Sequence, residues 1–205
     1  MLKLWTAGLP QFLFFIYPSV GCAVDFREGV DFMRNYQLRV MIEIAVMVAL
    51  SWILGQLRFI KMPYGGSVSL EMMPIFVLAF RNGPVIGIIG GAIYGLLQLT
   101  VDPYILNPWQ VIFDYPLPYA LIGIAGFFGK HEVGIVIGSL ARYVSHVIAG
   151  LLFWVSTFPE DMHPWLYSLL YNGSYMLPEL ILAVLVIHLL KSRREIIEPQ
   201  RGRSV

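Results

Sequence analysis

The stretch Trp109-Gln-Val-Ile-Phe-Asp114-Tyr115-Pro116-Leu-Pro118-Tyr119 puts a carboxylate, two tyrosines and two prolines where an apolar span begins. A charged side chain at the bilayer centre costs about 2.5–3.5 kcal/mol on insertion scales, so an intramembrane carboxylate faces a bundle interior and has a partner there. The residue types around it suit a flat, cationic, heteroaromatic ligand. Aromatic faces attract a cation by up to about 2 kcal/mol when desolvated. Carboxylates supply the counter-charge and accept hydrogen bonds from amines and ring N–H groups, while Asn, His and Tyr fix orientation. Asp114 and Tyr115 are therefore expected to line a small-molecule pocket near the outer face of a membrane protein.

The composition supports that setting. The 205 residues are 58% hydrophobic and only 13% charged, against roughly 25% charged in soluble domains. Several apolar runs approach the ~20 residues that a spanning helix needs. The expected fold is all-α: a polytopic membrane protein built as a bundle of six transmembrane helices. The runs are continuous and lack the dyad alternation of a transmembrane β-barrel. A net charge of +1 gives no support for a nucleic-acid partner. The single cysteine, Cys22, excludes an internal disulfide framework and a Cys-based metal site. No metal or cofactor is expected.

The helices that must position the pocket can be laid out in order. Residues 1–35 are read as an N-terminal extension, disordered or foreign to the native fold. Their apolar part, Gln11 to Val24, is broken by Pro18; an extra helix and a cleaved leader are the alternatives. The membrane domain covers residues 36–191, and 192–205 form a basic, polar tail. Within the domain the predicted helices are Gln37–Gln56, Val68–Phe80, Pro84–Val101, Trp109–Phe128, Val133–Thr157 and Trp165–Leu190. Leu57 to Ser69, with its tandem Gly65-Gly66, is a long connection suited to a lid. Ala45 and Ala49 are a small-xxx-small pair, and Gly83, Gly87, Gly91 and Gly95 form a stripe that lets backbones meet closely. Glu43, near the basic end of the first span, is expected to snorkel to the interface. Arg34, Arg39, Arg81, Lys130 and the basic tail all fall on one side of such a bundle. The excess of basic residues places that side, and both termini, in the cytoplasm of a multi-pass plasma-membrane protein.

With this topology several polar and aromatic residues converge near the outer face. They are Glu71, Tyr104, Asp114, Tyr115, Trp154, Tyr167 and Asn172, with His146 deeper. Arg142, His146, Gly150 and Trp154 are four apart and share a helix face, as do Ser168, Asn172, Tyr175 and Glu179 on the last helix. Arg142 is read as structural, and Glu179 as a buried hydrogen-bonding group with no assigned role. No nucleophile elbow, zinc-protease motif or phosphate-binding loop is present. The chain is not expected to be an enzyme or to hydrolyse ATP by the P-loop route. ATP-driven transport would need separate ATPase subunits.

From Tyr36 to Lys191 the sequence resembles the thiamine-specific S components of energy-coupling factor (ECF) transporters. The carriers are Glu43-Ile-Ala45-Val-Met-Val-Ala49, Gly65-Gly66-Ser67-Val-Ser-Leu-Glu71-Met-Met-Pro74-Ile, Tyr104-Ile-Leu, Gln110-Val-Ile-Phe-Asp114-Tyr115-Pro116, His146-Val-Ile-Ala-Gly150-Leu-Leu-Phe-Trp154 and Tyr167-Ser-Leu-Leu-Tyr-Asn172-Gly173. The resemblance implies high-affinity thiamine capture at the outer face. Asp114 stands for the pyrimidine-binding carboxylate, often Glu in the family. Glu71, Tyr104, Tyr115, Tyr167 and Asn172 stand for further contacts, and His146 and Trp154 for residues packed against the ligand rings. The Ala45/Ala49 surface implies docking on a transmembrane scaffold (T) subunit coupled to two cytoplasmic ATPase subunits. One departure is in the first loop, where Tyr64-Gly65-Gly66-Ser67 replaces a family tryptophan. An S component for another vitamin or a thiamine precursor is the alternative reading; a membrane-embedded enzyme using Asp114 and His146 and an ion-driven transporter are remoter ones.

Overall fold

The computed structural model describes residues 26–63, 65–101 and 103–197. Tyr64 and the greater part of the proposed extension and tail therefore lie outside the described residues. The chain divides into two units, Met1–Arg39 and Val40–Val205. In the first, the backbone from Phe26 is helical, ten residues before the boundary expected at Tyr36. Helix α1 spans Phe26–Gln56. Within the second unit it buries only the narrow stripe Val40, Val48, Ser51 and Gly55. Met41, Val46, Ile53 and the alanines Ala45 and Ala49 are exposed, as befits a helix whose surroundings are lipid.

The rest of the bundle follows the predicted order with altered boundaries. The first loop is a short hairpin in which β1 (Ile60–Lys61) pairs antiparallel with β2 (Ser67–Val68). The expected helix start at Val68 is thus wrong, and α2 runs Met73–Asn82 with Pro74 in its first turn. The intervening chain is held by side chains instead, because the Ser69 N–H donates to Glu179 Oε1 at 3.2 Å. Every residue of α2 from Met73 to Phe80 is buried, so this helix, apolar all round, is the centre of the core. Glu43 has a partner there: its carboxylate pairs with Arg81 Nε at the end of α2.

A turn at Gly83, with φ of 86°, joins α2 to α3 (Pro84–Gln98). This left-handed backbone is what requires glycine at position 83; a Cβ there would meet nothing within 4 Å, so Gly83 does not belong to the packing stripe. Gly87, Gly91 and Gly95 do. A Cβ on Gly91 would approach the Tyr119 carbonyl carbon to 2.7 Å, and one on Gly95 the Pro116 Cα to 2.6 Å. These glycines press α3 against the fourth span.

That fourth span is not one helix. α4 (Pro108–Asp114) starts with the Asn107 side chain accepting from the Gln110 N–H at 2.9 Å. It stops at Tyr115 (φ −116°, ψ −80°), and α5 runs Pro116–Ile122. Pro116 brings no N–H to the ladder and disfavours helical backbone at the residue before it. A 3-10 segment, Gly123–Phe127, completes the crossing. α6 (His131–Phe153) ends at Trp154, ahead of a 3-10 turn over Val155–Thr157. α7 covers Pro164–Leu190, and a short α8 covers Arg194–Ile197. Among the described residues three helices, α1 from Tyr36, α6 and α7, are long and apolar enough to cross a bilayer; α2, α3 and the α4–α5–3-10 chain complete a six-helix membrane bundle.

The seam gives a stability prediction. Gly91→Val should lower the thermal midpoint in detergent by an amount equivalent to about 1–3 kcal/mol or more, the usual cost of forcing methyl groups into a packed contact. Gly129→Ala, where a Cβ meets nothing within 4 Å, is the control and should leave the midpoint in place.

Candidate ligand-binding site

A cavity of about 500 Å³ opens among the hairpin, the loop before α4, and helices α5, α6 and α7. That is within the range of small-molecule sites, roughly 300–1,000 Å³. Glu71, Tyr104, Asp114, Tyr115, His146, Trp154, Tyr167 and Asn172 all line it. Sequence separations of up to 101 residues, from Glu71 to Asn172, are thus closed around one space.

The floor is a buried polar layer. Glu71, 3% exposed, takes donors on both oxygens. Tyr94 Oη and Gln98 Nε2 donate to Oε2 at 3.0 and 3.1 Å. Tyr119 Oη and Arg142 Nη2 donate to Oε1, the latter at 3.2 Å. Arg142 Nη1 reaches Glu179 Oε2 at 2.8 Å, and its guanidinium lies 4.6 Å from the Tyr119 ring centroid. Ser69 donates to Glu179 Oε1 through both its N–H and its hydroxyl at 3.2 Å. Glu71, expected among the ligand contacts, therefore reaches the cavity from inside a fully occupied hydrogen-bond set.

The wall beside it is built around Asp114. Its Oδ2 accepts from Gln110 Nε2 at 2.7 Å and from Trp154 Nε1 at 3.0 Å. Its Oδ1 stands 3.9 Å from His146 Nδ1, beyond hydrogen-bond reach. Gln110 is fully buried and also donates to the Tyr104 carbonyl at 3.1 Å while accepting from the Leu106 N–H at 2.9 Å. It is the residue that holds the loop to α4, one turn from Asp114. The i, i+4 spacing of Gln110 and Asp114 was the available signal for it. Tyr115 Oη accepts from the Tyr104 N–H at 2.8 Å, so Tyr115 tethers this loop as well as lining the cavity.

Aromatic groups cover the remaining sides. Tyr104 packs on Trp154 with centroids 4.7 Å apart, and Tyr167, Tyr171 and Tyr175 follow one another along α7. His146 meets the edge of Tyr175, and its Nε2 is buried with no hydrogen-bond partner among the described residues. Asn172 Nδ2 donates to the Ser168 carbonyl at 2.9 Å, and its Oδ1 accepts from Tyr175 Oη at 2.7 Å. Tyr171 and Tyr175 were not expected as site residues, although Tyr175 was visible in the α7 stripe. Both also anchor the hairpin. Tyr171 Oη donates to the Gly65 carbonyl at 3.0 Å, and a Cβ on Gly66 would fall 2.7 Å from Tyr175 ring carbons. Gly66 has φ of 84°, so both backbone sign and close approach demand glycine there.

Residues 41–198 match the family model described as thiamine transporter protein. A Bacillus subtilis protein named thiamine transporter ThiT is 40% identical over 177 residues, an alignment covering 77% of this chain and 92% of that protein. A protein of the same name from Lacticaseibacillus paracasei is 31% identical over 178 residues, covering 77% and 89%. A solved structure of ThiT from Listeria monocytogenes superposes with a TM-score of 0.73 at 29% identity, covering 80% of this chain and 100% of that one.

The polar floor predicts a strong response to removal of its cation. Arg142→Met leaves Glu71 and Glu179 buried without it, a change that costs about 3–5 kcal/mol in comparable sites. Thermal unfolding in detergent should show a marked fall in midpoint, and adding Glu71→Gln and Glu179→Gln to the variant should restore part of it. An unchanged midpoint for the single variant would mean that the ion triad does not hold the bundle together.

Proposed function

We infer, from the premise that this chain belongs to the thiamine transporter protein family, that it captures thiamine at the outer membrane face as the substrate-specific S component of an ATP-driven ECF importer. It is a transport protein and not an enzyme. The observation that carries the ligand reading is the asymmetric use of Asp114. Gln110 and Trp154 fix one carboxylate oxygen, and the other is left for a donor in the cavity. An exocyclic amine on a pyrimidine ring is such a donor. The aromatic groups His146, Trp154 and Tyr104 around it suit the two flat rings and the positive charge of thiamine. Tyr115 and Gln110 hold the loop that carries Tyr104, while Tyr167 and Asn172 offer polar edges for the far end of the ligand.

Transport follows from partners. The chain has no phosphate-binding loop for ATP, so the energy is supplied by two cytoplasmic ATPase subunits acting through a transmembrane scaffold subunit. Ala45 and Ala49 lie exposed on α1, and their small side chains let a scaffold helix approach closely. The concentration of Lys and Arg on one side of the bundle supports cytoplasmic termini in the plasma membrane. Residues 36–191 carry both functions in this reading, with the preceding extension dispensable.

Titrating the purified protein in detergent with thiamine should quench tryptophan fluorescence saturably. Asp114→Asn should weaken binding more than about tenfold, since a hydrogen bond to a charged group is worth roughly 1.5–3 kcal/mol. Unchanged affinity would remove Asp114 from the site, and a folded wild-type protein that does not respond would overturn thiamine in favour of another vitamin or a precursor. Ala45→Trp should leave the titration intact while abolishing most uptake by cells that carry the scaffold and ATPase subunits. Full uptake would return the two alanines to a lipid-facing role.

A further inference from the structure

Glu179 is 1% exposed and lies behind Arg142, which reaches the cavity surface in its place. Its environment consists of donors: the Ser69 N–H and hydroxyl on Oε1 and Arg142 Nη1 on Oε2. Glu71 is likewise met by tyrosine hydroxyls, an amide N–H and the guanidinium. Carboxylates surrounded by donors act as acceptors only, which is the hydrogen-bonding character of the ionised form. One guanidinium then faces two carboxylates, and the triad is one negative charge in excess. Asp114 adds to that excess on the adjoining wall. The other cations lining the cavity belong to the first loop, where Lys61 is exposed and Arg58, half-buried, has its Nε turned away to the Gly55 carbonyl at 3.1 Å. Charges near solvent are screened; buried ones are screened much less.

We propose that Glu179, without touching the ligand, is a specificity-determining residue: through Arg142 it leaves the cavity floor with a net negative charge that selects ligands carrying a cationic ring. A single carboxylate on Arg142 would give a neutral floor, with Asp114 remaining as a hydrogen-bond acceptor for the amine. The second carboxylate turns the floor into a counter-ion. This rests on the thiamine reading above and deepens it, because it assigns the discrimination to the charge of one ring and not to its shape.

The test compares two ligands of nearly the same shape, thiamine and its thiophene analogue, in which the cationic thiazolium is replaced by an uncharged ring. Glu179→Gln keeps the side-chain volume and removes the charge. The variant should bind thiamine at least about fivefold more weakly and the thiophene analogue within about twofold of wild type, the direction that loss of a buried counter-charge requires. Parallel losses for both ligands would make Glu179 a scaffold residue only, and unchanged affinity for both would show that its charge is not felt in the cavity; either result overturns the proposal. Should the variant fail to fold, the wild-type protein decides: thiamine should be preferred over the thiophene analogue by at least about tenfold, and equal affinities overturn the proposal. A wild-type protein that binds neither ligand would instead overturn the thiamine reading itself.

Discussion

A guanidinium enclosed in a helical bundle cannot be left without acceptors, and Arg142 finds them on segments far apart in the chain. It joins α6 to α7 through Glu179, and to the segment before α2 through Glu71. It also lies against the α5 residue Tyr119. Apolar contacts cannot choose among bundle arrangements as sharply, because in lipid the tails are as apolar as the side chains and helix association relies on close packing and hydrogen bonds. The ion triad is directional, and misplacing any one of the three elements would strand a charge. Glu71 then collects Tyr94 and Gln98 from α3 and Tyr119 from α5, so the same centre fixes the depth at which the cavity ends.

The upper part of the site depends on a different device. The glycine seam brings α3 into backbone contact with α5, and the break at Tyr115 changes the direction of the chain just above that contact. Asp114 ends α4, and Tyr115 occupies the break. Neighbouring residues in an unbroken helix point about 100° apart, given 3.6 residues per turn. Here both line one cavity, and the loop before α4 is folded back on them through Gln110 and the Tyr115 hydroxyl.

Much of this was readable from residue types and periodicity. The all-α membrane class, the order of the six crossings and the small-residue contacts of Gly87, Gly91 and Gly95 follow from apolar run lengths and four-residue spacing. The grouping of Asp114, Trp154, Tyr167 and Asn172, with His146 deeper, around one cavity follows from topology alone. What was not readable depends on partners remote in sequence. Val68 could as well start a helix until Ser69 is seen to give its N–H to Glu179. Glu43 shows no partner in the sequence until Arg81 is seen beside it. Gly83 matches the stripe in spacing, yet its role is a left-handed turn. The break in the fourth span had a local signal: Pro116 lies inside the predicted fourth helix, and Tyr115, the residue before it, is where the helix breaks.

The seam between α3 and α5 also constrains how this sequence can change over time. Glycine has no smaller replacement, so every substitution at Gly87, Gly91 or Gly95 adds atoms where neighbouring main chain already stands within contact distance. These positions have no tolerated neighbours in sequence space unless the facing backbone moves at the same moment. Away from Ala45 and Ala49, the exposed apolar surface of α1 is the opposite case, since Leu, Ile, Val and Met exchange there at little cost. Drift in this chain is therefore directed outward, toward the lipid, while the inner faces that frame the cavity are held by geometry even where they touch no ligand.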